Sequence, residues 1–169
     1  AAWVAHSALA RSDGASRHGR RRGASMAVVG ANSPEPCSSV LAALVVGSIP
    51  MPVDSYAVAE ELCFVLAHAE ARYAAVEDQE QIDKLQSVAD RLPMRQQMIY
   101  DESRGLRDYD HSRLRSMNDV IEEGRKALAD PAVAAWLDAE IAAGKGSDPS
   151  IILYTSGTTG ASKGVVLTG

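Results

Sequence analysis

The run Tyr154-Thr155-Ser156-Gly157-Thr158-Thr159-Gly160-Ala161-Ser162-Lys163-Gly164 gathers glycines, hydroxyls and one lysine between two apolar triplets, Ile151-Ile152-Leu153 and Val165-Val166-Leu167. Glycine lets a backbone take positive φ and approach a ligand closely, so successive N–H groups can converge on anionic oxygens. Gly157, Gly160 and Gly164 are read in that role. Thr155, Ser156, Thr158 and Thr159 add hydroxyl donors, and Lys163 adds a compact charge able to follow a phosphate as it moves. The chemistry suggested is the cradling of a triphosphate. The pattern differs from the common nucleotide loop G-x-x-x-x-G-K-[ST], because Ser162 precedes the lysine and Gly164 follows it. Val165-Val166-Leu167-Thr168 reads as a strand, so no helix N-terminus is expected at the phosphates and the donors must come from the loop itself.

The elements before this loop alternate. Met26–Val29 reads as a strand, Ser33-Pro34 as the start of a helix with Cys37, Val40, Leu41, Leu44 and Val45 on its inner face, and Gly47 as its end. Ile49-Pro50-Met51-Pro52-Val53 is extended but carries two prolines, which places it at a sheet edge or in a linker. Val58, Leu62, Val65, Leu66 and Ala69 form the next helical stripe, and Tyr73–Val76 the next strand. Asp78 with Gln81 opens a helix that faces Ile82, Leu85, Ala89 and Leu92 inward and stops at Pro93; Gln97–Tyr100 is a further strand. Residues 101–116 read as a polar surface connection. Two helices follow, one opened by Ser116 and Asp119 with Val120, Ile121 and Leu128 inside, the other by Asp130-Pro131 with Val133, Trp136, Leu137 and Ile141 inside. The pattern is that of an α/β fold, a mostly parallel sheet flanked by helices, made mixed by the last two strands around the glycine loop.

Composition excludes several classes. With 169 residues, 46% hydrophobic and 23% charged, the chain has the length and core of about one domain. A net charge of −5 speaks against nucleic acid as a partner. The longest apolar run, Val40–Val46, is far short of the ~20 residues a membrane span requires, so no integral membrane segment is expected. Residues 1–25, rich in arginine, serine and glycine, read as a poorly structured basic arm, and 26–169 as the folded part. Cys37 and Cys63 read as small buried hydrophobes, and His6, His18, His68 and His111 lack metal-ligand spacing. The cytoplasm is the expected location, with neither a metal site nor a catalytic residue assigned.

The glycine loop resembles the phosphate-loop signature of the adenylate-forming (AMP-binding) enzymes, Y-T-S-G-T-T-G-x-P-K-G, matching each specified place except Ser162, which replaces proline. Further stretches, Ile49–Val53, Ala59–Leu62, Glu77–Lys84, Arg104–Asp110 and Ala139–Gly146, are similar to the bacterial long-chain fatty-acid–CoA ligase branch. The resemblance implies that Thr155, Ser156, Gly157, Thr158, Thr159, Gly160 and Lys163 hold the β- and γ-phosphates of ATP. It implies a fatty acid, ATP with Mg2+, and coenzyme A as reactants, by way of an acyl-adenylate, and is compatible with peripheral membrane contact. It also implies that the chain is the incomplete N-terminal portion of the family's large domain. The fatty-acid pocket, the later Tyr-Gly-x-Thr-Glu-type motif, the ribose-binding aspartate and the C-terminal lysine would all lie beyond Gly169. On its own such a portion is expected to make no acyl-CoA and to bind Mg·ATP weakly at most. The alternatives are another adenylate-forming branch (an aryl-CoA ligase or a peptide-synthetase adenylation domain), a non-catalytic nucleotide- or partner-binding chain, or a product that does not fold.

Overall fold

A computed structural model describes residues 23–31, 34–92, 97–155 and 162–169, without the side chains of 34–36. The elements are β1 (Ser25–Gly30), α1 (Pro34–Val45), β2 (Ile49–Asp54), α2 (Ala59–His68), β3 (Tyr73–Val76), α3 (Gln79–Ser87), β4 (Gln97–Tyr100), β5 (Leu114–Ser116), α4 (Met117–Ala127), α5 (Pro131–Ala142), β6 (Pro149–Thr155) and β7 (Lys163–Thr168). The first five strands make one sheet in the order β2-β1-β3-β4-β5, parallel at every pairing.

Strands covered on both faces need apolar side chains at consecutive positions, and Met26-Ala27-Val28-Val29 supplies them, each buried. One face of the sheet, through Ala27, Val29, Met51, Ala74, Val76 and Met98, packs with Leu62, Leu66, Ile82 and Leu85 of α2 and α3. The other, through Met26, Ala75 and Ile99, packs with Ala42 and Ala43 of α1, Val120 of α4 and Leu137 of α5. Trp136 lies partly buried against that second cluster, as its place on the helical stripe suggests.

The punctuation read from sequence acts as expected at several places. The side chain of Asp78 accepts from the Gln81 N–H at 3.3 Å, and that of Asp130 accepts from the Ala132 N–H at 2.8 Å with Pro131 behind it. At the end of α1, Gly47 takes φ +66°, the Ser48 N–H donates to the Ala43 carbonyl and the Gly47 N–H to the Leu44 carbonyl, a left-handed cap closed by glycine. The end of α2 repeats the cap without glycine. Glu70 takes φ 51°, its N–H donates to Ala67, and the Ala71 N–H donates to Leu66 at 3.0 Å.

The two prolines explain the sheet's edge. The Ile49 N–H donates to Ala24 on the β1 side. Positions 50 and 52 therefore point away from β1, where proline has no N–H to offer. This bears on the last two strands. β6 packs against β2 but forms with β7 a separate two-stranded antiparallel sheet instead of making the main sheet mixed.

Other expectations are corrected. The inner face of α1 is Ser39, Ala42, Ala43 and, just past its end, Val46, whereas Cys37, Leu41 and Leu44 are exposed. A helix lying close on a sheet fits small residues against it, and hydropathy alone cannot report that. Cys63 is buried as expected, and Cys37 is not. Val58 is exposed, α3 ends at Ser87, short of Pro93, and Ile141 lies outside. Residues 101–116 include β5 and the buried Leu106 and Leu114, so they are more than a surface connection. The basic arm falls almost wholly outside the described residues.

Candidate phosphate-binding site

Of the residues expected to hold phosphate, Thr155 and Lys163 are described, and Ser156, Gly157, Thr158, Thr159 and Gly160 lie outside the described residues. Thr155 closes β6 and Lys163 opens β7, and the two are register partners across the antiparallel pair. The glycine-rich run therefore begins and ends at one point, the mouth of a hairpin. Side chains alternate along a strand. Ile152 and Tyr154 pack toward the main core. Thr155 and its partner Lys163 therefore share the opposite face, where both are exposed, able to present a hydroxyl and an ammonium group to a ligand.

Gly164 differs from its expected role. Its φ is not positive; it is an ordinary strand residue opposite Tyr154, and a Cβ there would stand 3.2 Å from Tyr154 Cζ and 3.4 Å from Ile152 Cγ2. Its lack of a side chain gives room to the tyrosine ring.

That ring is held from the far side. Tyr154 Oη lies 2.7 Å from His68 Nδ1, and the two rings meet edge to face with centroids 5.8 Å apart. His68 in turn stacks on Phe64, one turn earlier in α2, at 5.6 Å and 18°. Partial burial pushes the Tyr154 phenol above its ordinary range, so it keeps its proton at neutral pH. Sequence reasoning missed this cluster, because its two ends are 86 positions apart and a lone histidine at a helix end carries no ligand pattern. His111 pairs through Nε2 with the Leu106 carbonyl at 3.0 Å.

A doubly wound parallel sheet usually binds ligands at the switch between strands that lead opposite ways, here β1 and β3. In this chain a Glu77 carboxylate oxygen accepts from the Ala31 N–H at 2.7 Å, and the cavity beside Val28, Val76 and Asp101 measures only about 10 Å³. A trough of about 760 Å³ opens instead between α1 and the end of β2, walled by Cys37, Val40, Leu41, Pro52, Val53 and Tyr56. It is largely apolar, and among the described residues no lysine or arginine lines it, which suits an apolar ligand better than phosphate.

The family model for AMP-binding enzymes matches residues 12–169. This chain belongs to that family. The match begins inside the expected basic arm, so residues 12–25 are part of it. The chain is 31% identical over 151 residues to the long-chain-fatty-acid–CoA ligase ACSBG1 of Rattus norvegicus, covering 88% of this chain and 20% of that protein. It is 26% identical over 152 residues to ACSBG2 of Homo sapiens, covering 83% and 20%. It spans about a fifth of the length of these curated relatives. Among solved structures it resembles the anthranilate CoA ligase AuaEII in complex with anthranoyl-AMP, with TM-score 0.73, 23% identity and coverage of 99% of this chain and 28% of that one. It also resembles the long-chain-fatty-acid-CoA ligase FadD1 from Archaeoglobus fulgidus, with TM-score 0.68, 20% identity and coverage of 99% and 28%. The mostly parallel sheet is thus the fold these structures share with it. Among the described residues no helix is long and apolar enough to cross a membrane.

Proposed function

We propose that this chain supplies the phosphate-binding hairpin of an enzyme that activates a fatty carboxylate with Mg·ATP and passes the acyl group to coenzyme A. One observation carries the reading: Thr155 and Lys163 face each other at the mouth of the glycine-rich run. The family match supports nucleotide chemistry, and the names of the curated relatives support a fatty acyl substrate.

In the proposed reaction a carboxylate oxygen attacks the α-phosphorus and the bond to the bridging oxygen breaks, so negative charge gathers on the departing pyrophosphate. Lys163, the hydroxyls of Thr155, Ser156, Thr158 and Thr159, and the backbone N–H groups of Gly157 and Gly160 would bind those oxygens. Thr155 and Lys163, paired across the antiparallel ladder, would offer a hydroxyl and an ammonium group already side by side to that charge. Among the described residues no group of three or more carboxylate, histidine or cysteine side chains gathers to hold a metal. Mg2+ bound with the nucleotide's phosphates would supply charge neutralisation there.

The test is ATP–pyrophosphate exchange. The isolated chain is expected to show no fatty-acid-dependent exchange, whereas a chimera carrying residues 26–169 in place of the matching segment of a fatty-acid–CoA ligase should exchange. Lys163→Ala in the chimera should lower kcat/KM for ATP by about 100-fold. Exchange by the pure chain would overturn the claim that it supplies only part of the site. A chimera indifferent to Lys163→Ala would overturn the role of the hairpin.

A further inference from the structure

We infer that His68 is a positioning residue for the phosphate-binding hairpin, acting through the hydroxyl of Tyr154. The inference rests on the proposed function and extends it to a residue outside the glycine-rich motif. Among the described residues β7 is exposed along its whole length, and the hairpin meets the body of the molecule through β6, which packs along β2 and turns Ile152 and Tyr154 toward the main core. The proline-edged β2 offers no N–H at positions 50 and 52 to pair with it. The hydrogen bond of 2.7 Å between His68 Nδ1 and Tyr154 Oη is therefore a directional tie between the hairpin and the helix layer.

Both ends of the tie are themselves constrained. His68 is the last residue of α2, followed by the left-handed cap in which Glu70 takes φ 51°, a conformation that is unfavourable for a residue with a Cβ and is held by two backbone hydrogen bonds. Its ring stacks on the face of Phe64 and meets the ring of Tyr154 edge to face. The tyrosine ring fills the space left by Gly164, the neighbour of Lys163, and Thr155 follows it directly along β6. A shift of the ring thus reaches Thr155 through one peptide unit and Lys163 through the glycine beside it. The bond is made in either direction: the phenol donates to a bare Nδ1, or accepts from a protonated one.

The variants separate bond from packing. His68→Phe keeps an aromatic ring on Phe64 and removes the bond, Tyr154→Phe removes it from the other side, and His68→Asn places a polar atom near the position of Nδ1. Mg·ATP is titrated into the 15N-labelled 169-residue chain, with Lys163→Ala as reference and a thermal transition for each variant as a check on folding. His68→Phe and Tyr154→Phe should each weaken binding about five-fold, the value of one hydrogen bond. The double variant should be no weaker than either single one, and His68→Asn should recover most of the loss. Amides of β6 and β7 should exchange faster in the two phenylalanine variants without ligand. If both bind Mg·ATP like the parent while Lys163→Ala does not, the inference is wrong and the phosphate site stands. If Lys163→Ala binds like the parent, the phosphate site falls and the role of His68 with it. Should His68→Phe fail to fold, Tyr154→Phe and the double-mutant comparison with His68→Asn decide.

Discussion

The five-stranded sheet and the β6–β7 hairpin are built on opposite terms. β1 is buried on both faces, its strand register is parallel throughout, and helices cover it above and below. In the hairpin every residue of β7 is exposed, including Val165, Val166 and Leu167, and the antiparallel ladder supplies most of what holds the pair together. The first region can hold the chain folded but has little room for a ligand at its switch point. The second presents hydroxyl and lysine side chains freely and meets the rest of the described chain through β6, which packs against β2 outside the main sheet's ladder. Stability and the proposed phosphate binding therefore fall to different parts of this chain, with Tyr154 as the joint between them.

That division can be broken most forcefully at the core. Leu62→Ala, at a fully buried position in the cluster beneath α2, should destabilise the whole chain by about 2–5 kcal/mol, whereas Leu167→Ala on the hairpin should fall within about 0.5 kcal/mol. Equal losses in thermal unfolding would show that the hairpin belongs to the cooperative core after all. Next in size is Gly164→Ala, which places a methyl group 3.2 Å from a ring that the His68 bond prevents from yielding. The expected cost is about 1 kcal/mol, seen as faster hydrogen exchange in β6 and β7 with β1 and β3 unchanged. Spread of the effect into β1 would contradict local insertion.

A smaller effect, of opposite sign, comes from the cap of α2. Glu70→Gly removes the penalty at φ 51° and should raise stability by about 0.5 kcal/mol, a shift of roughly 1–2 °C in Tm. A fall in Tm would mean that Glu70 makes a contact worth more than its strain. Smallest of all is the pair at the surface of the core, where Arg91 hydrogen-bonds Glu60 at 2.5 and 2.7 Å and, with its charge, holds the Glu60 carboxyl below the usual carboxylate range. Because that value is depressed on folding, its contribution is present above the ordinary pKa of about 4.3 and is lost as pH falls through the lower folded value. Glu60→Gln should leave the acid limb of the stability curve slightly flatter. An unchanged limb would show that the pair contributes nothing to folding.

Much of the sheet was legible because its signals are local. The apolar strands Met26–Val29, Tyr73–Val76 and Gln97–Tyr100, the caps at Asp78 and Asp130, the stop at Gly47 and the edge marked by Pro50 and Pro52 each depend on neighbouring residues. Where the outcome depended on distant partners, sequence fell short. β5 has three residues with Arg115 at its centre, too short to show alternation, and becomes a strand by pairing with β4. α1 carries apolar residues on several sides, so hydropathy could not tell that Ala42 and Ala43 face the sheet while Leu41 lines an open trough and Leu44 is exposed. At the candidate site the residue types were legible from the glycine-rich run. The pairing of Thr155 with Lys163 needed the hairpin, and the tie from His68 to Tyr154 needed the whole fold.

The central claim is that nucleotide phosphates bind at the hairpin, and amide shifts during a titration of Mg·ATP into the labelled chain test it most directly. The account predicts perturbations centred on Thr155, Lys163 and Gly164, spreading along β6 and β7, small at β1 and β3, and lost in Lys163→Ala. Shifts gathered instead around Val40, Leu41 and Tyr56 in the trough, or undiminished in Lys163→Ala, would contradict it.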